Sequence, residues 1–177
     1  KGMFEPLFYY NAFEDAEVPW LATGFEFNDD FTALTLSVRD GVTWSDGEAF
    51  NADDIVFTAN MLLENAAGNA ELFSATDFAA ATASVTKVDD QTVELTLTQP
   101  MPRYARRFLM NYFGSGLFWL PEHVWASVEN PAEFTNYDPE NGQPVTTGEW
   151  NLVLSSSTQI FMDRRDDWWG VTTGFTD

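Results

Sequence analysis

The stretch that decides the fold is VTWSDGEAFNADDIVFTANML, residues 42–62. Asp46-Gly47 is a pair typical of tight turns. Asn51 is placed to cap a following helix, and Asp54, three residues later, completes the pattern of a capping box. Apolar residues then recur at helical spacing: Ile55, Val56, Ala59, Leu62, Leu63 and Ala66. The stretch therefore predicts a turn and a capped helix, and a folding role for its aspartates.

The residues before and after this stretch extend the prediction. LTLSVR, residues 34–39, alternates apolar and polar side chains, which is typical of a half-buried strand. Asp40-Gly41 favours a two-residue hairpin turn, with Val42 to Trp44 as the return strand. The capped helix is expected to run over 51–64 and to stop at Gly68.

Further elements follow at regular intervals. The expected elements are a second helix over 69–81, two strands over 83–100 joined by a turn at Asp89-Asp90, a short helix over 103–113, a helix after Pro121, and a final hairpin around Ser155 to Ser157. Helices and hairpins are mixed without regular βαβ alternation. The pattern predicts a mixed α/β fold of α+β character, with a mixed sheet and flanking helices.

Charge and composition exclude several classes of protein. The 177 residues contain 28 acids and 8 bases, which give a formal net charge of −20. Nucleic acid is not an expected partner, because binding to it needs Lys and Arg to displace phosphate counterions. The chain has no cysteine, which excludes disulfides and thiolate metal sites. No apolar run approaches the roughly 20 residues of a membrane-spanning helix.

The sequence gives little support for catalysis or metal binding. His123 is the single histidine and follows a proline at a helix start, where a structural role is expected. DPENG, 138–142, lacks the alternating ligands of a calcium loop and is interpreted as a turn. DRRDD, 163–167, is interpreted as a solvated charge cluster. No catalytic residue, metal site or cofactor is predicted, although a pair of carboxylates in a cleft stays open as an alternative.

Binding is the better-supported class of function. Seven tryptophans are many for a chain of this length, and aromatic faces stack on sugars and on ligand side chains. For any single tryptophan a place in the core is the simpler interpretation. Arg103, Arg106 and Arg107 are expected to pair with the protein's own acids, with a partner's carboxylates as the alternative.

LTLSVRDGVTWSDGEAFNADDIVFTANML resembles the signature region of the family 5 extracellular solute-binding proteins. These are the oligopeptide-, dipeptide-, nickel- and oligosaccharide-binding receptors of ABC importers. WLATGFEFNDD, VTKVDDQTVELTLTQPMP and LPEHVWASVENPAEFTNYDPENGQPVTTGEW are similar to further family segments and occur in the same order. One departure is Thr146-Thr147-Gly148-Glu149-Trp150, where the family usually has Gly-Thr-Gly-Pro-Tyr. The resemblance covers nearly the whole chain.

The resemblance implies a partial first lobe of a two-lobe, periplasmic binding protein type II-like fold. Residues 1–145 would form a lobe subdomain, residues 146–177 the first hairpin of the adjoining lobe sheet, and the second lobe would be absent. Family members are roughly three times longer. The chain looks like a mature or trimmed form, located in the periplasm or outside the cell, with a lipid anchor on the full-length protein as one option.

The family also implies a mechanism and site residues. A small solute, peptide or oligosaccharide, would be captured by hinge closure and delivered to the membrane permease by a monomeric receptor that is not an enzyme. The ligand-facing residues it suggests are Thr147, Gly148, Glu149 and Trp150, with Tyr9, Tyr10 and Asn11 as a second group. The alternative is a secreted carbohydrate-active protein, either a glycoside hydrolase or an all-β carbohydrate-binding module.

Overall fold

The computed structural model describes residues 3–66, 74–111 and 116–175. Its strands are β1 (Phe8–Asn11), β2 (Ala16–Pro19), β3 (Ala22–Phe27), β4 (Ala33–Val38), β5 (Thr82–Asp89), β6 (Thr92–Leu97), β7 (Met110–Asn111), β8 (Trp150–Ser155) and β9 (Ile160–Arg164). Its α-helices are α1 (Ala52–Asn65), α2 (Ala75–Ala81), α3 (Glu122–Trp125) and α4 (Trp169–Thr172), with a π-helix at Ala105–Leu109 and a 3-10 helix at Pro139–Asn141.

A four-stranded antiparallel sheet of order β3-β4-β6-β5 forms the main scaffold. Its two inner strands show the alternation expected from the sequence, because side chains on a strand point to opposite faces in turn. The buried side chains on these strands are Leu34, Leu36 and Val38 of β4 and Val93, Leu95 and Leu97 of β6. The predicted strand–turn–strand over 83–100 is thereby confirmed.

The predicted hairpin at Asp40-Gly41 is wrong. Gly41 does adopt a positive φ of 77°, as a tight turn requires, but Val42 to Trp44 do not return along β4. Both edges of β4 are already occupied by β3 and β6, so no edge is left for a return strand. Thr43 instead bridges to Ala49 across the turn at Asp46-Gly47.

Helix α1 begins as the sequence predicts. The Asn51 side chain accepts a hydrogen bond from the amide of Asp53 at 2.7 Å, and Asp54 accepts from the amide of Asn51 at 3.1 Å, so the capping box is complete. Ile55, Ala59 and Leu62 lie on the buried face, again as predicted. A 14-residue helix with this burial excludes the all-β carbohydrate-binding module.

The second helix is shorter in the described residues than predicted. It covers Ala75–Ala81, while 69–73 and the predicted stop at Gly68 lie outside the described residues. The helix predicted over 103–113 is also different. A π-helix ends at Leu109, and Met110–Asn111 then pairs in parallel with β1, so sheet pairing replaces the last helical turn. Tyr112 and Phe113 lie outside the described residues.

Two smaller sheets complete the architecture. The first has the order β2-β1-β7, with β1 antiparallel to β2 and parallel to β7. The second is the predicted C-terminal hairpin of β8 and β9, whose turn spans 156–159. Its exposed apolar side chains are Val153, Leu154, Ile160 and Phe161. In the part of the chain that the structure describes, no helix combines the length and apolarity needed to cross a membrane.

Most of the tryptophans belong to the core. Trp44, Trp119, Trp168 and Trp169 are buried, which agrees with the simpler interpretation of each. After the hairpin, α4 brings Trp169 back against the first sheet, where its ring packs edge-on against Trp20 at 5.8 Å between centroids. The two ends of the described chain are therefore joined at this point.

Candidate functional site

A buried carboxylate joins the two segments that were predicted to face ligand. Glu5 is only 5% exposed, and its two oxygens accept hydrogen bonds from the indole N–H groups of Trp20 at 2.8 Å and Trp169 at 2.9 Å. The Thr147 hydroxyl and Tyr9 lie close enough to Glu5 to interact with its charge. We refer to Glu5, Tyr9, Trp20, Thr147 and Trp169 as the Glu5 cluster.

The electrostatics of the Glu5 cluster follow from burial. Loss of water raises the pKa of Glu5, while the hydrogen bonds from Trp169, Trp20 and Thr147 lower it in part. Burial and the nearby charge of Glu5 raise the pKa of Tyr9 to about 12. The Tyr9 phenol therefore stays protonated at neutral pH and is available as a hydrogen-bond donor.

Arg165 holds the loop that carries Thr147. Its guanidinium donates to the backbone carbonyl oxygens of Thr146 at 3.3 Å, Gly148 at 3.1 Å and Trp44 at 3.2 Å. The side chain is 1% exposed, and its carboxylate partner Asp167 is on the surface. The interpretation of 163–167 as a solvated charge cluster is therefore wrong for Arg165, because three carbonyls replace its hydration.

The loop of predicted ligand residues divides into two parts. Thr147 and Gly148 are buried, and the Gly148 amide donates to the carbonyl of Met3 at 2.8 Å, which places them beside Glu5. Glu149 and Trp150 are partly exposed, and the Trp150 indole donates to the Glu149 carboxylate at 2.7 Å. Trp150 also lines a shallow pocket on the hairpin with Ile160, Phe161 and Met162.

The second predicted group divides in the same way. Tyr9 packs edge-on against Trp20 at 5.0 Å between centroids and so belongs to the Glu5 cluster. Tyr10 donates to Asp15, and its ring lies under the guanidinium of Arg106 at 4.2 Å.

Asn11 shapes the turn between β1 and β2. Its amide donates to Glu14 at 2.9 Å, and its carbonyl oxygen accepts from the Phe13 backbone at 3.1 Å. The structure therefore brings Tyr9, Thr147 and Gly148 together and places Tyr10, Asn11, Glu149 and Trp150 elsewhere.

The residues considered for catalysis have structural partners. His123 contacts Asp46 at 2.7 Å and so ties α3 to the loop before α1. Asp54 accepts hydrogen bonds from the Trp44 indole at 3.2 Å and from the Glu122 amide at 2.9 Å, besides its capping bond. Burial raises the pKa of Asp54, and these donors counteract the rise in part.

Of the three clustered arginines, Arg107 pairs with Asp77 at 2.9 Å, as expected for pairing with the protein's own acids. In the described ranges, no group of three or more His, Cys, Asp or Glu residues is arranged to hold a metal ion.

Sequence reasoning missed Glu5, Trp20, Trp169 and Arg165. The sequence did contain a signal for Glu5. It is the only charged residue in the apolar run FEPLFYY, and a charge that is buried there needs a partner. No local pattern identified the partners, since Glu5 and Trp169 are 164 residues apart.

Comparison with known proteins identifies the family and the fold. The family model described as bacterial extracellular solute-binding proteins, family 5 Middle, matches residues 16–174. The periplasmic alpha-galactoside-binding protein of Rhizobium meliloti (strain 1021) is 29% identical, over 95% of this chain and 26% of that protein. The nickel-binding periplasmic protein of Escherichia coli (strain K12) is 26% identical, over 95% of this chain and 29% of that protein.

Solved structures show the same fold. The periplasmic oligopeptide-binding protein of an oligopeptide ABC transporter from Thermotoga maritima superposes with a TM-score of 0.78 at 23% identity, over 99% of this chain and 30% of that chain. A second structure of that protein, with mannohexaose bound, gives a TM-score of 0.76 at 24% identity. The predicted fold class, part of a lobe of the periplasmic binding protein type II kind, is confirmed.

The chain spans less than a third of the length of these relatives. The match over 16–174 nevertheless includes the signature stretch and the loop 146–150, while Glu5 and Tyr9 precede it. The resemblance inferred from the sequence is confirmed: the chain belongs to family 5 of the bacterial extracellular solute-binding proteins.

Proposed function

We propose that this chain forms part of the first lobe of a substrate-binding component of an ABC importer. Such a receptor captures a solute in the periplasm or outside the cell and delivers it to the membrane permease. The observation that supports the proposal is the Glu5 cluster, in a chain that belongs to a family of solute-binding proteins. It joins the start of the chain to the loop 146–150, and the proposal places these segments on one wall of the binding cleft.

The chemistry of the cluster suits recognition rather than reaction. The protonated Tyr9 phenol offers a donor, and the partly exposed face of Trp20 offers aromatic surface to a sugar ring or an apolar side chain. Peptide and oligosaccharide are both retained as solute classes, and the aromatic content favours the sugar. We propose a monomeric receptor without catalytic activity, with no cofactor and no nucleic-acid partner.

The domain organisation is part of the same proposal. Residues 1–145 would form the lobe subdomain, and residues 146–177 would contribute the first hairpin of an adjoining sheet. The hairpin of β8 and β9 supports this, because it is a separate two-stranded sheet with apolar side chains in water. In a receptor of the relatives' length, the opposite wall of the cleft would come from segments that this chain does not contain.

Titration calorimetry tests the proposal. The chain is titrated with a panel of manno- and galacto-oligosaccharides and short peptides, and we expect weak, saturable binding of one class, because one wall supplies only part of the contacts. Tyr9→Phe, which removes the donor and keeps the ring, should weaken that binding. Tyr137→Phe, whose hydroxyl bonds to Ser155 and not to the Glu5 cluster, should not. Absence of binding to every solute, or equal binding by both variants, would contradict the assignment of the Glu5 cluster.

A further inference from the structure

An elongated groove lies between α1 and the segment that contains α3, with a volume of about 570 Å³. Its lining residues on α1 recur along one helix face, from Asp53 to Asn65, which corresponds to a length of about 18 Å at 1.5 Å per residue. The opposite side is formed by 122–131. None of the Glu5 cluster residues lines it, so this groove is separate from the proposed solute site.

Buried hydrogen bonds fix the two sides of the groove relative to each other. The Thr58 hydroxyl of α1 accepts from the amide of Leu120 at 2.9 Å, and the Asp54 carboxylate accepts from the amide of Glu122 at 2.9 Å. Both acceptors are buried. The groove is therefore preformed, and binding to it would not require the two segments to be ordered first.

Apolar and acidic side chains both line the groove, and we call the apolar set its floor and the acidic set its rim. The floor contains Val56, Phe57, Met61, Trp125 and Val128. The carboxylates at the rim belong to Asp53, Glu64, Glu122 and Glu129, and no Lys or Arg is among the described residues that line the groove.

Within the described part of the chain, only Asp53 of these four carboxylates has a cationic partner, Lys87 at 2.8 Å. Glu64, Glu122 and Glu129 are exposed. The groove thus combines apolar surface with negative charge that the described residues do not neutralise.

We propose that this groove binds a basic amphipathic peptide segment of a partner protein, laid along α1 with its apolar side chains on the floor and Lys or Arg at the rim. The elongated shape fits a peptide that contacts several successive helical turns. A second copy of this chain is a poor occupant, because 28 acids against 8 bases would place like charges together. The proposal does not depend on the proposed solute binding.

Fluorescence anisotropy with a designed peptide tests the proposal. The probe is a labelled peptide of about 14 residues, with Leu at helical spacing and Lys at the other positions, and its control has Ser in place of every Leu. We expect the Leu peptide to bind and the Ser peptide to bind at least about tenfold more weakly. Only the Leu peptide can cover the apolar floor. Equal binding of the two peptides would overturn the proposal.

Charge variants locate the binding on the protein. The triple variant Glu64→Gln/Glu122→Gln/Glu129→Gln should lose about tenfold or more in affinity. The control triple Glu17→Gln/Glu26→Gln/Glu94→Gln removes the same charge from exposed positions on β2, β3 and β6 and should bind nearly as wild type does. Equal losses in the two triples would show attraction by net charge alone and would overturn the proposal.

A floor variant distinguishes the remaining occupants. Phe57→Asn should weaken the Leu peptide by about tenfold while circular dichroism stays that of the wild type. Sedimentation without peptide should show the same state of association for Phe57→Asn as for the wild type. A dimer that Phe57→Asn dissociates would identify a second copy as the occupant and would overturn the choice of a basic partner segment.

Discussion

Glu5 is a carboxylate that folding removes from water and surrounds with indole donors. Burial raises its pKa above the ordinary value of 4.5. The folded chain therefore binds this proton more readily than the unfolded chain. The contribution of Glu5 to stability is fully present below pH 4.5 and is lost as the pH rises through the folded-state pKa.

Replacement of Glu5 by Gln removes this dependence on pH. We expect the free energy of unfolding of the wild type, relative to Glu5→Gln, to fall as the pH rises from below 4.5 through the folded-state pKa, by about 1.4 kcal/mol for each unit by which the pKa is raised. Urea unfolding followed by tryptophan fluorescence measures it at each pH. Glu94→Gln, at an exposed position on β6, is the control. A difference between wild type and Glu5→Gln that does not change with pH would contradict the argument.

Arg165 is the second residue whose burial the sequence did not predict. Arg165→Met removes a donor from three carbonyl oxygens. Those of Thr146 and Trp44 keep hydrogen bonds from the amides of Ser45 and Gly47, so the carbonyl of Gly148 is the one that loses its donor. We expect a loss of about 1–3 kcal/mol in the free energy of unfolding, because a buried acceptor is left unsatisfied. Chemical denaturation measures the loss. Arg164→Met, the exposed neighbour, should change stability by less than about 0.5 kcal/mol, and equal losses would refute the assigned role.

At the scale of elements, the start of α1 is the feature that the sequence predicted best. Asn51→Ala removes the acceptor for the Asp53 amide and should cost about 1 kcal/mol in the free energy of unfolding. Asn60→Ala makes the same substitution inside the helix and should be neutral or slightly stabilising, because Ala has the higher helix propensity. Thermal and urea unfolding compare the two variants. A loss in Asn60→Ala as large as in Asn51→Ala would show that the cap is not the cause.

Elements whose outcome depended on distant partners were predicted less well. The capping box uses residues within one helical turn, so the sequence contains all of its parts. The hairpin at Asp40-Gly41 obeyed the local turn rule, but β4 had already been paired on both sides by β3 and β6. The local pattern of 103–113 predicted a helix, but Met110–Asn111 pairs in parallel with β1 instead. Which strand edges are free to pair depends on the whole sheet, so a short stretch of sequence cannot predict it.

At the scale of the whole molecule, the family pattern predicted the lobe but only part of the site. The order of motifs implied the fold, and the family match over 16–174 confirms it. It also directed attention to Thr147 and Tyr9, which the structure places beside Glu5. It did not identify Glu5 itself, because the Glu5 cluster is assembled by α4, which returns Trp169 from the other end of the chain.

The exposed apolar side chains of the C-terminal hairpin give the last prediction. If β8 and β9 belong to a sheet that other segments complete, their apolar side chains are in water in this chain and should attract apolar dyes and each other. Ile160, 63% exposed, and Phe161 lie next to each other on β9 and meet the end of β8. We expect the double variant Ile160→Thr/Phe161→Thr to bind at least about twofold less of the dye anilinonaphthalene sulfonate than the wild type. In sedimentation it should self-associate less than the wild type.

The control for this prediction is Val88→Thr. Val88 is 61% exposed, close to the value for Ile160, but it lies on β5 of the four-stranded sheet. A single exposed apolar side chain is normal on a protein surface, so this variant should leave dye binding and sedimentation unchanged. If the two variants behave alike, the exposed apolar side chains of the hairpin are no more adhesive than a single exposed apolar residue elsewhere on the surface. The proposed assignment of 146–177 to an adjoining sheet then loses its physical support. That assignment assumes that the apolar side chains of β8 and β9 pack against further segments of a longer receptor.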